Sequence, residues 1–146
     1  HSDASFAKYP RLPVWHCTGY QVAYTLELLS ERFAVCRLEP GAAFPEWAIG
    51  AFCSITRTPE ELSVVCPEAV VPENVRSEPG WRCLHVVGKF DFAVVGMIAS
   101  LTGPLAAAGI SVFVLSTFDT DYVLVKDSDL GRAVETLEAA GNRVGR

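Results

Sequence analysis

The chain has 146 residues, 50% of them apolar and 20% charged, with a formal net charge of −5. That apolar fraction supports a sizeable buried core and excludes a disordered chain. The acidic balance, with no block of Lys or Arg to neutralise a row of phosphates, argues against nucleic acid or an anionic membrane as partner.

The cysteines Cys17, Cys36, Cys53, Cys66 and Cys83 are 19, 17, 13 and 17 positions apart, so no CxxC metal spacing exists. Four of them fall in apolar strand-like runs, where a free thiol behaves as a small hydrophobe. An odd, scattered set of this kind fits reduced thiols in a cytoplasmic protein. No basic stretch followed by an apolar run marks a signal peptide at the start. The 27 uncharged residues from Phe92 to Phe118 are long enough to span a bilayer. Polar residues, glycines and Pro104 interrupt them, however, and the periodicity changes at Gly109-Ile110. That change describes a buried helix, a turn and a strand, and no membrane partner is expected.

Residues 1–25 are irregular and aromatic, with Phe6, Tyr9, Trp15, Tyr20 and Tyr24, and read as an arm of unassigned role. Strand-like runs follow at Leu26–Leu29, Phe33–Leu38, Phe52–Thr58, Leu62–Cys66, Trp81–Val87, Ile110–Phe118 and Tyr122–Lys126. Pro59, in the second position of a Thr58–Glu61 turn, makes a hairpin of Phe52–Cys66. The Asp119-Thr120-Asp121 step makes a second hairpin of Ile110–Lys126. Two helices are expected. One spans Phe92–Ala108, with Val94, Ile98, Leu101, Leu105 and Ala108 on its apolar face, Asp91 as N-cap, Gly109 just past its end and a kink at Pro104. The other spans Ser128–Ala140, capped by Asp127 or Ser128, with Leu130, Val134 and Leu137 turned inward and Gly141 ending it.

From Trp81 onward the pattern is βαββαβ, closed by a short strand near Asn142–Gly145: a ferredoxin-like unit. Residues 26–79 read as a degenerate copy, in which Glu39–Ala51 leaves room only for a turn or two of helix around Phe44–Ile49. The fold class is therefore α+β. Its expected division is an arm (1–25), a degenerate ferredoxin-like unit (26–79) and a complete one (80–146).

Four stretches carry a family resemblance. They are Phe33-Ala-Val-Cys-Arg-Leu, Phe52-Cys-Ser-Ile-Thr-Arg-Thr-Pro-Glu-Glu-Leu-Ser-Val-Val-Cys, Gly96-Met-Ile-Ala-Ser-Leu-Thr-Gly-Pro-Leu and Ala108-Gly-Ile-Ser-Val-Phe-Val-Leu-Ser-Thr-Phe-Asp-Thr-Asp-Tyr-Val-Leu-Val. The chain from residue 26 to 146 resembles small tandem ACT-domain proteins, which are similar to the ACT units of eukaryotic cytosolic arginine sensors. The Ile110–Val125 hairpin is the most specific part of the match. The resemblance implies an amino-acid-binding regulatory protein, cytoplasmic, associating with a second copy and acting on some regulated protein, with no catalysis of its own and no cofactor.

The candidate ligand site joins the Gly88–Gly96 loop to the Ser116–Asp121 turn: Gly88, Phe90, Asp91, Phe92, Val94, Gly96, Ser116, Thr117, Asp119 and Asp121. Free N–H groups at the start of the first helix suit a carboxylate. Asp119 and Asp121 suit an ammonium or guanidinium, and an α-amino acid needs both kinds of partner. On the residues alone, Asp91 reads rather as a cap and the other two aspartates as turn formers, and the resemblance brings the ligand reading level with that one. Gly96, Ser100, Gly103 and Ala107 form a stripe of small residues on the first helix, open either to another backbone or to the chain's own sheet. Ser54, Thr56 and Thr58 share a strand face, as hairpin residues in solvent or as lining between units.

Catalytic constellations are poor. No HxxH or HExxH pair, GxSxG elbow or phosphate-binding glycine loop occurs, so no metal site is expected. Two alternatives to the sensor reading stay open: a ligand-free module docking on a partner enzyme, and a small enzyme using Asp119, Asp121 and His85.

Overall fold

A computed structural model describes residues 22–90 and 96–146. Among these, the elements run β1 (Thr25–Leu38), β2 (Ser54–Arg57), β3 (Leu62–Pro67), β4 (Ser77–Val86), α1 (Met97–Ala107), β5 (Val112–Ser116), β6 (Asp121–Lys126), α2 (Leu130–Ala139) and β7 (Arg143–Gly145). Single 3-10 turns occupy Glu68–Val70 and Asp127–Asp129. The strands form one sheet in the order β2-β3-β1-β4-β6-β5, with β7 beside β1. All pairings are antiparallel except β1 with β7.

β1 organises this sheet. Sequence reading splits it into two strands at Ser30-Glu31-Arg32, but the structure makes it one strand of 14 residues. The polar triplet is absorbed by register shifts against β4, between Leu28 and Arg32 and again between Phe33 and Val35. A bulge of this kind takes up extra residues without ending the pairing. The first half of β1 thus lies between β7 and β4, and the second half between β3 and β4. β4 begins at Ser77, four residues before the expected Trp81.

From β4 to β7 the order of elements is βαββαβ, as expected. Before it, β1, β2, β3 and the first residues of β4 pair without any α-helix between them. The turn or two of helix expected near Phe44–Ile49 is not formed. Pro45 and Trp47 carbonyls accept from the Ala48 and Ile49 N–H groups, giving tight turns only. Trp47 and Ala48, with Val70, Val71 and Val75, cover the Ala34, Cys36, Leu62, Val64 and Cys66 cluster where helices would otherwise lie.

α1 and α2 cover one face of the remaining sheet, over Leu26, Leu84, Val86, Val123 and Val125. Leu101, Leu105 and Leu137 are fully buried there. Each side chain of this size contributes about 1.5–3 kcal/mol by leaving water. The opposite face carries Phe33, Cys83 and Leu124, with half-buried Trp81, Phe113, Leu115 and Tyr122 beside them.

Both helix starts differ from expectation. α1 begins at Met97, not Phe92, because Gly96 at its N-cap has φ +83, a left-handed conformation that ends a helix and suits glycine. Met97 accordingly takes the inward place assigned to Ile98, beside Leu101 and Leu105. α2 begins at Leu130 with Asp129 as N-cap, since Asp127–Asp129 form the tighter 3-10 turn. The far ends match the expected glycines. The Ile110 and Gly109 N–H groups donate to Leu105 and Ala106, and those of Asn142 and Gly141 to Leu137 and Glu138, the paired bonds of a Schellman ending. Among the described residues, no helix is long and apolar enough to cross a membrane.

A candidate ligand cleft between α1 and the β5–β6 turn

The β5–β6 hairpin is closed by Thr117 and Thr120. The Thr117 N–H donates to the Thr120 carbonyl at 2.8 Å, and the Thr120 N–H to the Thr117 hydroxyl at 3.2 Å. This turn is fastened to the end of β4 twice. The Phe90 N–H donates to the Asp119 carbonyl at 2.7 Å, and the Thr120 hydroxyl donates to the Val86 carbonyl. Between the turn and the first residues of α1 lies a cleft of about 610 Å³. Small-ligand pockets span roughly 300–1,000 Å³.

The cleft brings together six of the ten sequence-selected residues: Phe90, Gly96, Ser116, Thr117, Asp119 and Asp121. Gly88, φ +128, stands directly behind Phe90. A Cβ built there would lie 3.1 Å from the Phe90 ring, so glycine lets the ring pack back over the chain. That ring also meets Tyr24 edge-on at 5.9 Å. Asp91, Phe92 and Val94 lie outside the described residues. Met97, Ile98, Ala99, Thr102, Phe118 and Thr120 also line the cleft and were not selected. For Met97, Ile98 and Ala99 the cause is the misplaced helix start: with Gly96 as N-cap these residues, not Phe92 and Val94, form the first turn. Thr120 carried a sequence signal, a Thr three residues after Thr117 across a turn, that was read only as hairpin punctuation.

The electrostatics have two signs. The first N–H groups of α1 have no acceptor within the helix and carry its positive end toward the cleft. Against them stand Asp119 and Asp121, and the described lining includes no Lys, Arg or His. Asp119 is exposed, whereas Asp121 is only 8% exposed. Among the described residues, no hydrogen bond or ion pair reaches the Asp121 carboxylate. A cation in the cleft would give that carboxylate a charge-assisted partner.

The other sequence candidates fall elsewhere. His85 is paired across the sheet with Tyr122 and stacks on it at 4.8 Å. Strand alternation puts both on the face away from the helices, whereas Asp121 shares the helix side with Val123 and Val125. The sheet therefore separates His85 from Asp121, which removes the geometric basis of an enzyme using both. Ser100, Gly103 and Ala107 are exposed, so the small-residue stripe does not pack on its own sheet. Ser54 and Thr56 sit on β2 at the far edge, outside the cleft. Among the described residues, no cluster of three or more His, Cys, Asp or Glu is placed to hold a metal.

An α+β sheet with βαββαβ order describes a ferredoxin-like fold, and comparison with known proteins identifies its family. The family model of the ACT domain matches residues 76–139, and a second model, described as an N-terminal domain, matches residues 31–74. The structure of protein Atu0741 from Agobacterium tumefaciens is similar with 40% identity and a TM-score of 0.80, covering 84% of this chain and 92% of that one. The chain belongs to the ACT-domain proteins. Over 66 residues it is 36% identical to the cytosolic arginine sensor for mTORC1 subunit 1 of Bos taurus, covering 44% of this chain. It spans only 20% of that sensor's length. The regulatory subunit of aspartate kinase from Thermus thermophilus shares the fold at 9% identity, with a TM-score of 0.54 over 76% of this chain and 93% of that one.

Proposed function

We propose that this chain is an amino-acid-binding regulatory protein of two tandem ACT-like units, residues 26–79 and 80–146, with the cleft as its ligand site. The observation that carries this reading is Asp121, 8% exposed, whose carboxylate has no partner among the described residues and which lines a cleft whose opposite wall is a helix N-terminus. An α-amino acid supplies both complements: its ammonium meets the aspartates and its carboxylate meets the N–H groups of Met97, Ile98 and Ala99. The chain performs no chemistry on the ligand. Occupancy is the signal, read by a second protein. The names of the relatives, an arginine sensor and an aspartate kinase regulatory subunit, support an amino acid as ligand and make L-arginine the first to try.

A thermal-shift screen of the twenty amino acids tests the reading. Saturation near one hundred times Kd adds about 2.7 kcal/mol, a rise of about 5–10 °C for a chain of this size. Asp121→Ala strands the ligand's cation, which costs roughly 2–5 kcal/mol and hence more than about thirtyfold in affinity. The unliganded variant melts close to wild type, because the carboxylate has no partner to lose among the described residues. A large drop in unliganded stability with binding intact would make the aspartate structural and the site misplaced.

A further inference from the structure

We propose that Thr120 is the positioning residue of the cleft: its hydroxyl, bonded to the Val86 carbonyl, anchors the 117–121 turn to the end of β4 and so fixes where the Asp119 and Asp121 carboxylates stand. The effect on affinity rests on the ligand reading above, whereas the anchoring itself does not.

Thr120 lies between the two aspartates and is 6% exposed, the most buried residue of the turn. All three of its hydrogen-bonding groups are used. The carbonyl accepts from both the N–H and the hydroxyl of Thr117, and the N–H donates to the Thr117 hydroxyl, which closes the turn on itself. The hydroxyl alone reaches out of the hairpin, to Val86 at the end of β4. β4 and β6 pair only from Trp81–Lys126 to His85–Tyr122, so beyond Tyr122 no ladder bond holds the hairpin to its neighbour. Two of the contacts that bridge that gap are the Thr120 hydroxyl on the Val86 carbonyl and the Phe90 N–H on the Asp119 carbonyl. Without the first, a buried tie between the turn and the end of β4 is lost, and the turn that carries Asp119 and leads into Asp121 is held less firmly. A buried hydroxyl–carbonyl bond also leaves its acceptor unsatisfied when the donor is removed.

The test compares Thr120→Val, which keeps the shape and removes the hydroxyl, with Thr120→Ser, which keeps the hydroxyl. Amide hydrogen exchange is read at Phe90 and Thr117, whose acceptors lie on the turn, against Leu84 and Val123 in the core. L-arginine and the other nineteen amino acids are titrated in parallel. Exchange at Phe90 and Thr117 rises by about tenfold in Thr120→Val, the scale of one lost buried bond, and returns toward wild type in Thr120→Ser. Core amides keep their protection, and the affinity of whichever amino acid binds wild type falls by about the same factor. Should Thr120→Val not fold, Thr120→Ala, with room for a water, makes the same comparison. Wild-type exchange at Phe90 and Thr117, or a loss that Thr120→Ser does not restore, overturns the proposal. If no amino acid binds the wild-type protein, the ligand reading fails, and the exchange comparison still decides the anchor.

Discussion

The two aspartates of the β5–β6 turn carry the same charge in different surroundings, and only the structure separates them. In the sequence both are turn residues two positions apart. In the fold Asp119 is exposed while Asp121 is buried on the helix side, which is why the proposed function rests on Asp121. Burial also sets the cysteine chemistry. It pushes the thiols of Cys66 and Cys83 from the ordinary 9.0 up to about 12, and raises Cys36 and Cys53 as well. Cys17 lies outside the described residues. A folded-state pKa above the unfolded one means that the native state keeps its proton while the unfolded chain loses it. The contribution of these thiols is therefore fully present below pH 9 and is lost as pH rises from 9 toward 12. The melting temperature is expected to fall across that window. A Cys66→Ala/Cys83→Ala variant should show a shallower alkaline slope than wild type, and an identical slope would contradict the assignment.

At the scale of elements, the two hairpins and the order of the C-terminal half were legible because their signals are local. Pro59 and the Asp119-Thr120-Asp121 step mark turns, and Gly109 and Gly141 mark helix ends. The misreadings share one cause, a local signal overridden by pairing or packing at a distance. Ser30-Glu31-Arg32 looks like a break, yet β4 holds both sides of it. The Phe92–Ala108 periodicity looks continuous, yet the left-handed backbone at Gly96 makes Met97 the first residue of α1. The short Glu39–Ala51 linker was read correctly as too short for a full helix, but that Trp47 would do part of a helix's covering was not visible. β1 also has a consequence for the expected unit boundary, since its first half stands between β4 and β7. A fragment of residues 77–146 therefore loses the strand joining two of its own and gains open edges. It is also small for an independent core. Circular dichroism during heating is expected to show no cooperative transition for the fragment, against a sharp one for residues 1–146. A sharp transition in the fragment would show that β1 is dispensable.

For the whole molecule, the outer sides of β2 and β5 are unpaired in the sheet order among the described residues. Open edges of this kind are commonly covered by a partner. With Trp81, Phe113, Leu115 and Tyr122 half-buried on the face that carries no helix among the described residues, they favour the homodimer expected from the sequence. Light scattering at micromolar concentration is expected to give about twice the chain mass of 15.8 kDa, and a monomer mass throughout would remove it. That the residues after β4 meet the β5–β6 turn was readable in the sequence, because a βαββ unit brings its first loop beside its hairpin turn, and the two aspartates of that turn were plain. That Asp121 is buried and Asp119 exposed was not readable, because both look like turn residues. The central claim, that the cleft takes an amino acid through Asp121, is tested most directly by titration calorimetry of wild type and Asp121→Ala with each of the twenty amino acids. The account predicts saturable binding of one or a few to wild type, one per chain, weakened more than about thirtyfold in the variant. No heat from any of the twenty, or equal affinity in both proteins, would contradict it.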